Sequence, residues 1–557
     1  MLPPKTTNAL EAILARTVGA DEPGIAVGIA QHGRLLWRGA RGLSNLASHA
    51  PLSTRTPFRI CSISKQFACA LVMREVAAGR IALDAHPSRY LPWTKDMDRT
   101  LTLAHLMQNK SGLRDQWVLA MMMGATATQP FTLDDGINVS GRAPESMFAP
   151  GSQNLYCNGN FEILGQVLEK VSCEPYAQLL SQHILLPLGM HDSHFAVDTA
   201  KPLPGDARGY RFNGGVWEEE KNALHWAASA GIVSTVEDML KWAACLRDPQ
   251  AAGLPWVAGI TQALPFNDGA AASYASGINH ELNSQTGRAV LAHAGALRGW
   301  RSLLMYFVKE EVSIVVFMNR TNGPKPRPLG GVAMQFARAL GVAPVWRGPG
   351  KHPKRAMLPS AAEGAYVSRE QGLLIQLRSH RGRTEAYSHL SWSPLFQTDE
   401  AGTFTTDDRD LAIHLNERFG AGLGEGAKSS LWLSLGAANV HTKMKHVVAS
   451  RVPGAPFAAH GRYHCAPLAS TLEIIASEGG EEIVFTGIFG TGTRYPLTRL
   501  NTHVAWFDIS RGVDESPPGR VLVIFDAKAG LLELSCMLAR RMVFRRTKVI
   551  RVGHHVS

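Results

Sequence analysis

Ser62 and Lys65 stand three positions apart in the segment Ser62-Ile63-Ser64-Lys65. On a helix this spacing places a hydroxyl and an amine on the same face. A serine hydroxyl is a weak nucleophile until a neighbouring base removes its proton. A lysine is such a base only if its pKa falls well below about 10.4, which burial or a nearby cation can cause. The pair predicts a nucleophile and its general base, although this short pattern also occurs by chance.

A phenol and a carboxamide follow in Tyr156-Cys157-Asn158, just before a predicted helix. The phenol of Tyr156 can relay a proton between Ser62 and a leaving amine. The amide of Asn158 can hydrogen-bond Lys65 or a substrate carbonyl. Taken alone, the motif fits a buried tyrosine beside a capping asparagine better than it fits a catalytic group.

A third motif, His293-Ala294-Gly295, lies in a predicted strand. His293 can orient the tyrosine phenol or bind substrate, and Gly295 would let the strand backbone approach a substrate closely. A lone histidine in a strand is more often structural, so this motif by itself is weak.

The elements predicted around these motifs are helices alternating with short apolar strands, which is typical of a sheet with helices packed on it. Helices are predicted at 67–77, at 160–171 and after Thr235, which is expected to be an N-cap. Strands are predicted at 25–29, 35–37, 302–307 and 312–318. We assign residues 1–342 to this catalytic domain.

The composition changes after residue 342. Residues 343–357 are rich in Pro, Gly and basic residues and are predicted to be a linker. Beyond them, short alternating strands with glycine-rich turns replace the helices. A weak repeat starts at Gly364-Ala365-Tyr366 and again at Gly461-Arg462-Tyr463, in units of roughly 100 residues, the size of a small barrel. We predict β-barrel domains at 358–452 and 453–557.

Composition excludes several classes of protein. Seven scattered cysteines without a CxxC pair argue against a disulfide framework or a zinc site and favour a reducing compartment. No apolar run is long enough to cross a membrane, and the N-terminus does not resemble a signal peptide, so we expect a cytoplasmic protein. The net charge of +11 is dispersed, apart from one C-terminal cluster. The sequence has no basic patch interleaved with aromatic residues, so nucleic-acid binding is not predicted. We interpret that cluster as a solvated strand face; it comprises Arg540, Arg541, Arg545, Arg546 and Lys548.

The three motifs, in this order, resemble those of the serine β-lactamases and penicillin-binding proteins, in particular the class C β-lactamase-like group. Further similar stretches span most of the first 340 residues, including GRIALD from Gly79, LTLAHLMQNKSGL from Leu101, FAPGSQNLYCNGN from Phe148 and AASAGIVST from Ala227. The bacterial D-aminopeptidases of this superfamily are more similar still, in FRICSISKQFACA around Ser62, LYCNGNFEIL from Leu155 and HAGALRGWRS from His293. The resemblance implies an α/β (α+β) β-lactamase/transpeptidase-like catalytic domain followed by two antiparallel β-barrel domains.

The resemblance also implies the activity. That family removes an N-terminal D-residue from peptides, amides and esters through an acyl-enzyme, with Ser62 as nucleophile, Lys65 as base and Tyr156 as proton shuttle. Backbone N–H groups of Ser62 and of the strand after His293 would form the oxyanion hole, and Asn158, His293 and Gly295 would contact substrate. It implies no cofactor and no metal, a homodimer, small D-amino-acid peptide, amide or ester substrates, and β-lactams as inhibitors.

In that family a loop of the last barrel enters the active-site cleft, and an acidic residue on it helps to recognise the free amine. The corresponding loop here is 487–495, with glycines at Gly487, Gly490 and Gly492. Thr493 stands where the carboxylate is expected, and Arg494 follows it. A cation beside an ammonium is unfavourable, so this departure counts against the same mode of amine recognition.

The residues are also compatible with two other functions. One is a different acyl-serine hydrolase on the same machinery: an esterase, a β-lactamase or a D,D-carboxypeptidase. A carboxypeptidase would need a cation to bind the substrate carboxylate. His293 stands where such enzymes usually have a lysine, which counts mildly against this function, although Arg298 can supply the positive charge. The other is a non-catalytic β-lactam or peptidoglycan-fragment binder, which would have no need of Ser62, Lys65 and Tyr156.

Overall fold

The computed structural model describes most of the chain, in twelve segments. They are 2–221, 223–283, 288–324, 328–342, 356–358, 362–387, 392–398, 403–406, 411–415, 430–448, 457–509 and 520–547. The predicted linker therefore lies almost wholly outside the described residues, as do Lys548 and the predicted boundary between residues 452 and 453.

An antiparallel six-stranded sheet forms the centre of the first domain. In spatial order its strands are Asn279–Asn283, Arg288–Leu297, Trp300–Phe307, Val312–Met318, Ile25–Gln31 and Arg34–Arg41. Val312–Met318 is buried along its whole length, because helices cover both faces of the sheet. Pro4–Thr17 and Leu329–Ala339 pack on one face, and Ser64–Ala77 and Val236–Arg247 lie on the other. The four strands predicted from apolar runs all lie in this sheet.

Two helices of the first domain carry motif residues: Ser64–Ala77 holds Lys65, and Asn158–Ser172 begins at Asn158. The helices of this domain are Pro4–Thr17, Ser64–Ala77, Leu103–Met107, Gln116–Met122, Leu133–Arg142, Asn158–Ser172, Tyr176–Leu180, Val236–Arg247 and Leu329–Ala339. Shorter helical turns lie at Cys61–Ile63, Pro87–Arg89, Pro92–Thr94, Ser181–Leu185 and Pro255–Thr261. Short strands outside the central sheet lie at Leu43–Asn45, Ala50–Pro51, Phe58–Arg59, His194–Phe195, Tyr210–Asn213, Val216–Glu219 and Ile232–Ser234.

Helix ends follow the chemistry of their caps. Thr235 accepts the Asp238 N–H at 3.1 Å, as expected of an N-cap, and the helix begins at Val236. The helix predicted from residue 67 begins three residues earlier, at Ser64. Its first turn is polar in sequence but fully buried, so apolar periodicity alone could not place its start.

Two antiparallel sheets form the C-terminal part, one a nearly closed barrel and the other a half-barrel. The nine strands of the first are Gly364–Ser368, Leu373–His380, Arg383–Tyr387, Trp392–Pro394, Phe396–Gln397, Thr403–Thr405, Leu411–Leu415, Ser430–Leu435 and Val440–Val447. The ten strands of the second are Gly461–Cys465, Ser470–Ser477, Gly480–Gly487, Gly490–Thr491, Tyr495–Pro496, Thr498–Arg499, Val504–Asp508, Arg520–Asp526, Leu531–Cys536 and Ala539–Arg546. The predicted fold class is confirmed, with the difference that one sheet closes only half-way.

The internal repeat has a structural counterpart in two buried tyrosines. Tyr366 donates its hydroxyl to the Ala362 carbonyl at 2.9 Å, and Tyr463 donates to the Ala459 carbonyl at 3.0 Å. Each tyrosine lies in the first strand of its sheet and reaches back four residues. The same hydrogen bond therefore ties down the chain where it enters each sheet.

The C-terminal cluster of basic residues is not uniformly solvated, contrary to the sequence interpretation. Arg540 is 2% exposed and donates to Gln153 of the first domain at 2.9 Å and, at 2.5 Å, to Gln371 in the turn before the strand Leu373–His380. Arg541, Arg545 and Arg546, on the same strand Ala539–Arg546, are exposed as expected. Arg540 departs from them because its strand packs against the first domain. Within the part of the chain that the structure describes, no helix is long and apolar enough to cross a membrane.

Candidate active site

Ser62 lies in the helical turn Cys61–Ile63 that leads into the Ser64–Ala77 helix. The residue before it, Cys61, has a φ of 51°, in the left-handed region that side chains other than glycine rarely adopt. Backbone strain of this kind persists where the surrounding structure enforces it, often at functional sites. The turn leaves Ser62 8% exposed.

Lys65 is completely buried, and its ammonium is surrounded by acceptors. Its Nζ donates to Ser62 Oγ at 3.0 Å, to Asn158 Oδ1 at 2.8 Å and to the Ser229 carbonyl at 3.0 Å. Because these three bonds use the three N–H donors of an ammonium, they fix the position of the nitrogen. A buried lysine is therefore held against the hydroxyl that it is predicted to deprotonate.

Tyr156 is the second group in contact with the serine oxygen, so Ser62, Lys65 and Tyr156 form a triangle. Its hydroxyl donates to Ser62 Oγ at 2.7 Å, and the Lys65 nitrogen lies 4.9 Å from the centre of its ring. Asn109 fixes the backbone on either side of Tyr156: its carbonyl accepts the Leu155 N–H at 2.8 Å, and its Oδ1 accepts the Cys157 N–H at 3.1 Å. The structure thus brings Ser62, Lys65, Tyr156 and Asn158 together, as the sequence predicts.

Ser229 and Glu162 belong to the same cluster, but the sequence analysis did not single them out. The Ser229 carbonyl accepts from Lys65, while its N–H and hydroxyl donate to the Glu162 carboxyl. Burial raises the pKa of Glu162, and its hydrogen bonds with Ser229 oppose that shift. The helix segment NFEILGQVLEKV holds three charged residues, Glu162, Glu169 and Lys170, so residue type alone did not mark Glu162 as the one at the site. Ser229 contacts Lys65 through its backbone carbonyl, which every residue has, so its residue type could not indicate this contact.

His293 is buried beside the triangle and is neutral. Burial lowers its pKa to about 3, and the nearby Lys65 charge acts in the same direction. Its Nδ1 lies 2.6 Å from the Ala294 carbonyl and its Nε2 lies 3.2 Å from the Tyr274 hydroxyl. Since a carbonyl can only accept, Nδ1 carries the proton and Nε2 accepts from Tyr274. The centre of its ring lies 6.3 Å from that of Tyr156, so the two residues are neighbours.

Gly295 serves the protein's own packing. A side chain there would collide with Ser302 Oγ and with the Ile60 carbonyl. Ser302 also donates to that carbonyl at 2.6 Å. The absence of a side chain therefore lets the strand Arg288–Leu297 lie directly against the turn that carries Ser62.

Arg298, which the sequence offered as a ligand for a substrate carboxylate, is held by the protein itself. It is 9% exposed, and its guanidinium donates to Glu220 at 3.1 Å and to the Ala127 carbonyl at 3.2 Å. A carboxylate ligand would have to compete with a buried ion pair, which is costly to break.

The loop 487–495 begins as a hairpin that docks on the first domain. Phe489 donates its N–H to the Met123 carbonyl at 3.2 Å, and its ring lies 5.6 Å from that of Phe131. Gly487 lies so close to Met123 that a side chain would meet its carbonyl at 2.6 Å, and Gly492 contacts Gly124. Close approach of two backbones therefore explains Gly487 and Gly492, whereas Gly490 has a φ of 96°, which favours glycine.

Thr493 and Arg494 lie past this docked tip and are exposed. Thr493 hydrogen-bonds the Tyr495 side chain, and the Arg494 guanidinium lies 3.6 Å from the Glu482 carboxylate of its own sheet. These two contacts lie within the last sheet, whereas the glycine hairpin contacts the first domain.

We expect Gly124→Val to destabilise the protein by about 1–3 kcal/mol, because Gly124 has a φ of 89° and its Cβ would collide with the Gly490 carbonyl. The free energy of unfolding from denaturant titration measures this. Gly141→Ala is the matched control, since Gly141 lies in the Leu133–Arg142 helix with open space around it and alanine favours a helix. Equal stability of the two variants would contradict the docking.

The sequence and the fold match known proteins. Residues 10–339 match the family model described as Beta-lactamase, and residues 358–545 match that of D-aminopeptidase, domain B. The chain belongs to the β-lactamase family and is a hydrolase. In the part of the chain that the structure describes, no group of three or more His, Cys, Asp or Glu side chains could hold a metal ion.

Relatives cover the whole chain. It is 29% identical over 555 residues to a D-aminopeptidase of Brucella anthropi, covering 97% of this chain and 99% of the relative. Among solved structures, the octameric penicillin-binding protein homologue from Pyrococcus abyssi matches 97% of this chain and 99% of its own, with a TM-score of 0.51 at 15% identity. The D-amino acid amidase from Ochrobactrum anthropi, in complex with L-phenylalanine amide, matches 60% of this chain and 99% of its own, with a TM-score of 0.50 at 19% identity. At these identities the two structures establish the fold.

Proposed function

We propose that this protein is a serine aminopeptidase that releases N-terminal D-amino acids from peptides, amides or esters through an acyl-enzyme on Ser62. One observation carries the chemistry: Ser62 Oγ lies 3.0 Å from the Lys65 nitrogen and 2.7 Å from the Tyr156 hydroxyl. The D-aminopeptidase of Brucella anthropi, similar along the whole chain, supports the choice of substrate.

Acylation begins when Lys65, as a neutral amine, takes the proton of Ser62 while the serine oxygen bonds to the substrate carbonyl carbon. The proton reaches the leaving nitrogen through the Tyr156 hydroxyl as the C–N bond breaks. Water then attacks the ester carbonyl and gives a proton to the same pair of groups. They pass it to the Ser62 oxygen as its bond to the acyl carbon breaks, and the acid is released.

The oxyanion of the tetrahedral intermediate needs fixed donors. We assign them to the backbone N–H groups of Ser62 and of the strand after His293. The close packing of Gly295 on the Ile60 carbonyl supports this assignment, because it holds that strand against the nucleophile's turn.

The second candidate is another acyl-serine hydrolase, such as an esterase. The exposed Thr493 and the pairing of Arg494 with Glu482 favour it, since neither residue offers a carboxylate to a free amine. The buried ion pair of Arg298 with Glu220 counts against a D,D-carboxypeptidase, which has to bind a carboxylate.

The hydrolysis of D-alanyl p-nitroanilide tests the proposal. We expect the purified protein to release p-nitroaniline from the D-isomer and to leave the L-isomer nearly untouched. Turnover of simple esters or of nitrocefin without action on the D-isomer would favour the second candidate. Stoichiometric labelling by a β-lactam without turnover of any substrate would indicate a binding protein.

The proposal also covers the cellular location, oligomeric state and ligands of the enzyme. We propose a cytoplasmic homodimer that takes small D-amino-acid substrates, is inhibited by β-lactams and needs no cofactor. The seven free cysteines, of which only Cys173 is exposed, support a reducing compartment. Gel filtration with light scattering tests the dimer.

A further inference from the structure

A buried carboxylate, that of Asp115, contacts Asn158, which in turn contacts the proposed general base Lys65. Asp115 is 2% exposed and precedes the Gln116–Met122 helix. Its Oδ1 accepts the Trp117 N–H at 3.0 Å, while its Oδ2 accepts the Asn158 backbone N–H at 3.1 Å and the Asn158 side-chain amide at 3.4 Å. Burial raises the pKa of this carboxyl, while its hydrogen bonds with Asn158 and Trp117 oppose that shift; all three partners are donors, which suits the ionised form.

This contact determines which end of the Asn158 amide faces Lys65. The NH₂ group of Asn158 is directed to Asp115, and its Oδ1 therefore points to the Lys65 nitrogen, 2.8 Å away. The two ends of an amide have nearly the same shape, so an unanchored Asn158 could rotate and turn two N–H dipoles towards the ammonium. Asp115 prevents that rotation by accepting from both nitrogens of Asn158.

The last β-sheet anchors Asp115 in turn. The Asp115 N–H donates to the carbonyl of Leu538 at 2.9 Å, in the turn between the strands Leu531–Cys536 and Ala539–Arg546. The neighbouring Arg114 Nε donates to the Arg540 carbonyl at 3.3 Å. A continuous chain of hydrogen bonds therefore runs from the C-terminal sheet through Asp115 and Asn158 to Lys65.

We propose that Asp115 is a positioning residue for Lys65, acting through Asn158, and that the last β-sheet takes part in the chemistry by holding Asp115 in place. This inference rests on the proposed function only in giving Lys65 the role of base. It assigns to the C-terminal sheet a contribution to the reactivity of Ser62 that is separate from any contact with substrate.

Asp115→Asn tests the proposal. Asparagine has one acceptor oxygen where aspartate has two, and it carries no charge. Its NH₂ group therefore faces the donor of either Trp117 or Asn158, and the hold on the Asn158 amide weakens. We expect kcat to fall about 10–100-fold, as for other residues that orient a reacting group, while KM stays within about threefold. Loss of a negative charge near Lys65 makes its proton easier to remove, so the acidic limb of the kcat–pH profile should move to lower pH. A residue that merely capped a helix would leave that limb in place.

The matched control is Thr132→Ala. Thr132 caps the neighbouring Leu133–Arg142 helix by accepting the Asp135 N–H at 3.2 Å, and this contact does not involve Asn158. The control should lower the melting temperature and leave kcat and its pH profile unchanged. In an Asn158→Ala background, Asp115→Asn should have little further effect on kcat. A full additional loss there, or an unchanged pH profile of the single variant, would overturn the proposal.

The rate at which a fluorophosphonate labels Ser62 provides a readout that does not depend on the natural substrate. Slower labelling of Asp115→Asn than of wild type, with a shifted pH dependence, would support the positioning role even if D-alanyl p-nitroanilide were not hydrolysed. Equal labelling rates would overturn it even in an active D-aminopeptidase. The two proposals can therefore fail separately.

Discussion

Ser62→Ala is expected to lower kcat on D-alanyl p-nitroanilide by roughly 10⁴-fold or more while the protein stays folded. The loss is large because no covalent intermediate can form without the Oγ. The fold should survive, because Lys65 keeps two of its three acceptors, Asn158 Oδ1 and the Ser229 carbonyl. Initial rates measure the first effect, and circular dichroism with thermal melting measures the second.

Ser64→Ala provides the matched control for this prediction. Ser64 lies two positions further along and is fully buried, and its hydroxyl accepts the Ile232 N–H at 3.2 Å. Its loss removes a buried hydrogen bond, so we expect a stability cost of about 1 kcal/mol with activity largely kept. Near wild-type activity of Ser62→Ala would mean that the nucleophile is misassigned.

Lys65→Met is expected to lower kcat by about 10²–10⁴-fold, the usual contribution of a general base. Methionine fills much of the same space but cannot accept the proton of Ser62. Two buried acceptors, Asn158 Oδ1 and the Ser229 carbonyl, lose their donor as well, so the free energy of unfolding should fall by about 1–3 kcal/mol. Steady-state kinetics and denaturant titration separate the chemical effect from the stability effect.

A second buried lysine, Lys110, provides the matched control for Lys65→Met. Lys110 is 2% exposed and donates to the carbonyls of Leu264 and Pro265, and burial lowers its pKa to about 8. Lys110→Met should therefore cost similar stability with a much smaller loss of kcat. If both variants lost activity in proportion to stability, Lys65 would be a structural residue.

Neutral His293 bears on the interpretation of pH profiles. Because its pKa is near 3, it is uncharged across neutral pH and cannot be the source of a titration there. Burial also raises the pKa of its partner Tyr274 well above the usual value for a tyrosine. A change of kcat with pH near neutrality would therefore not come from His293 or Tyr274.

The local part of the site could be read from the sequence. Ser62 and Lys65 are one helical turn apart, so their contact follows from helix geometry once the turn forms. The central strands were also predictable, since 312–318 is an apolar run that is buried on both faces. That Tyr156 and Asn158 converge on this pair was suggested only by their resemblance to a family, because such a distant contact has no local signal.

The amino-acid sequence by itself determined the chemical groups of this protein: a hydroxyl, an amine, a phenol and an amide in a fixed order. Tertiary structure alone decided what surrounds them. The Ser229 and Leu538 contacts use backbone carbonyls, which every residue has, and so residue type could not indicate them. Arg540 is a charged side chain that is buried against Gln153 of the first domain, and burial of that kind depends on packing between segments far apart in the chain.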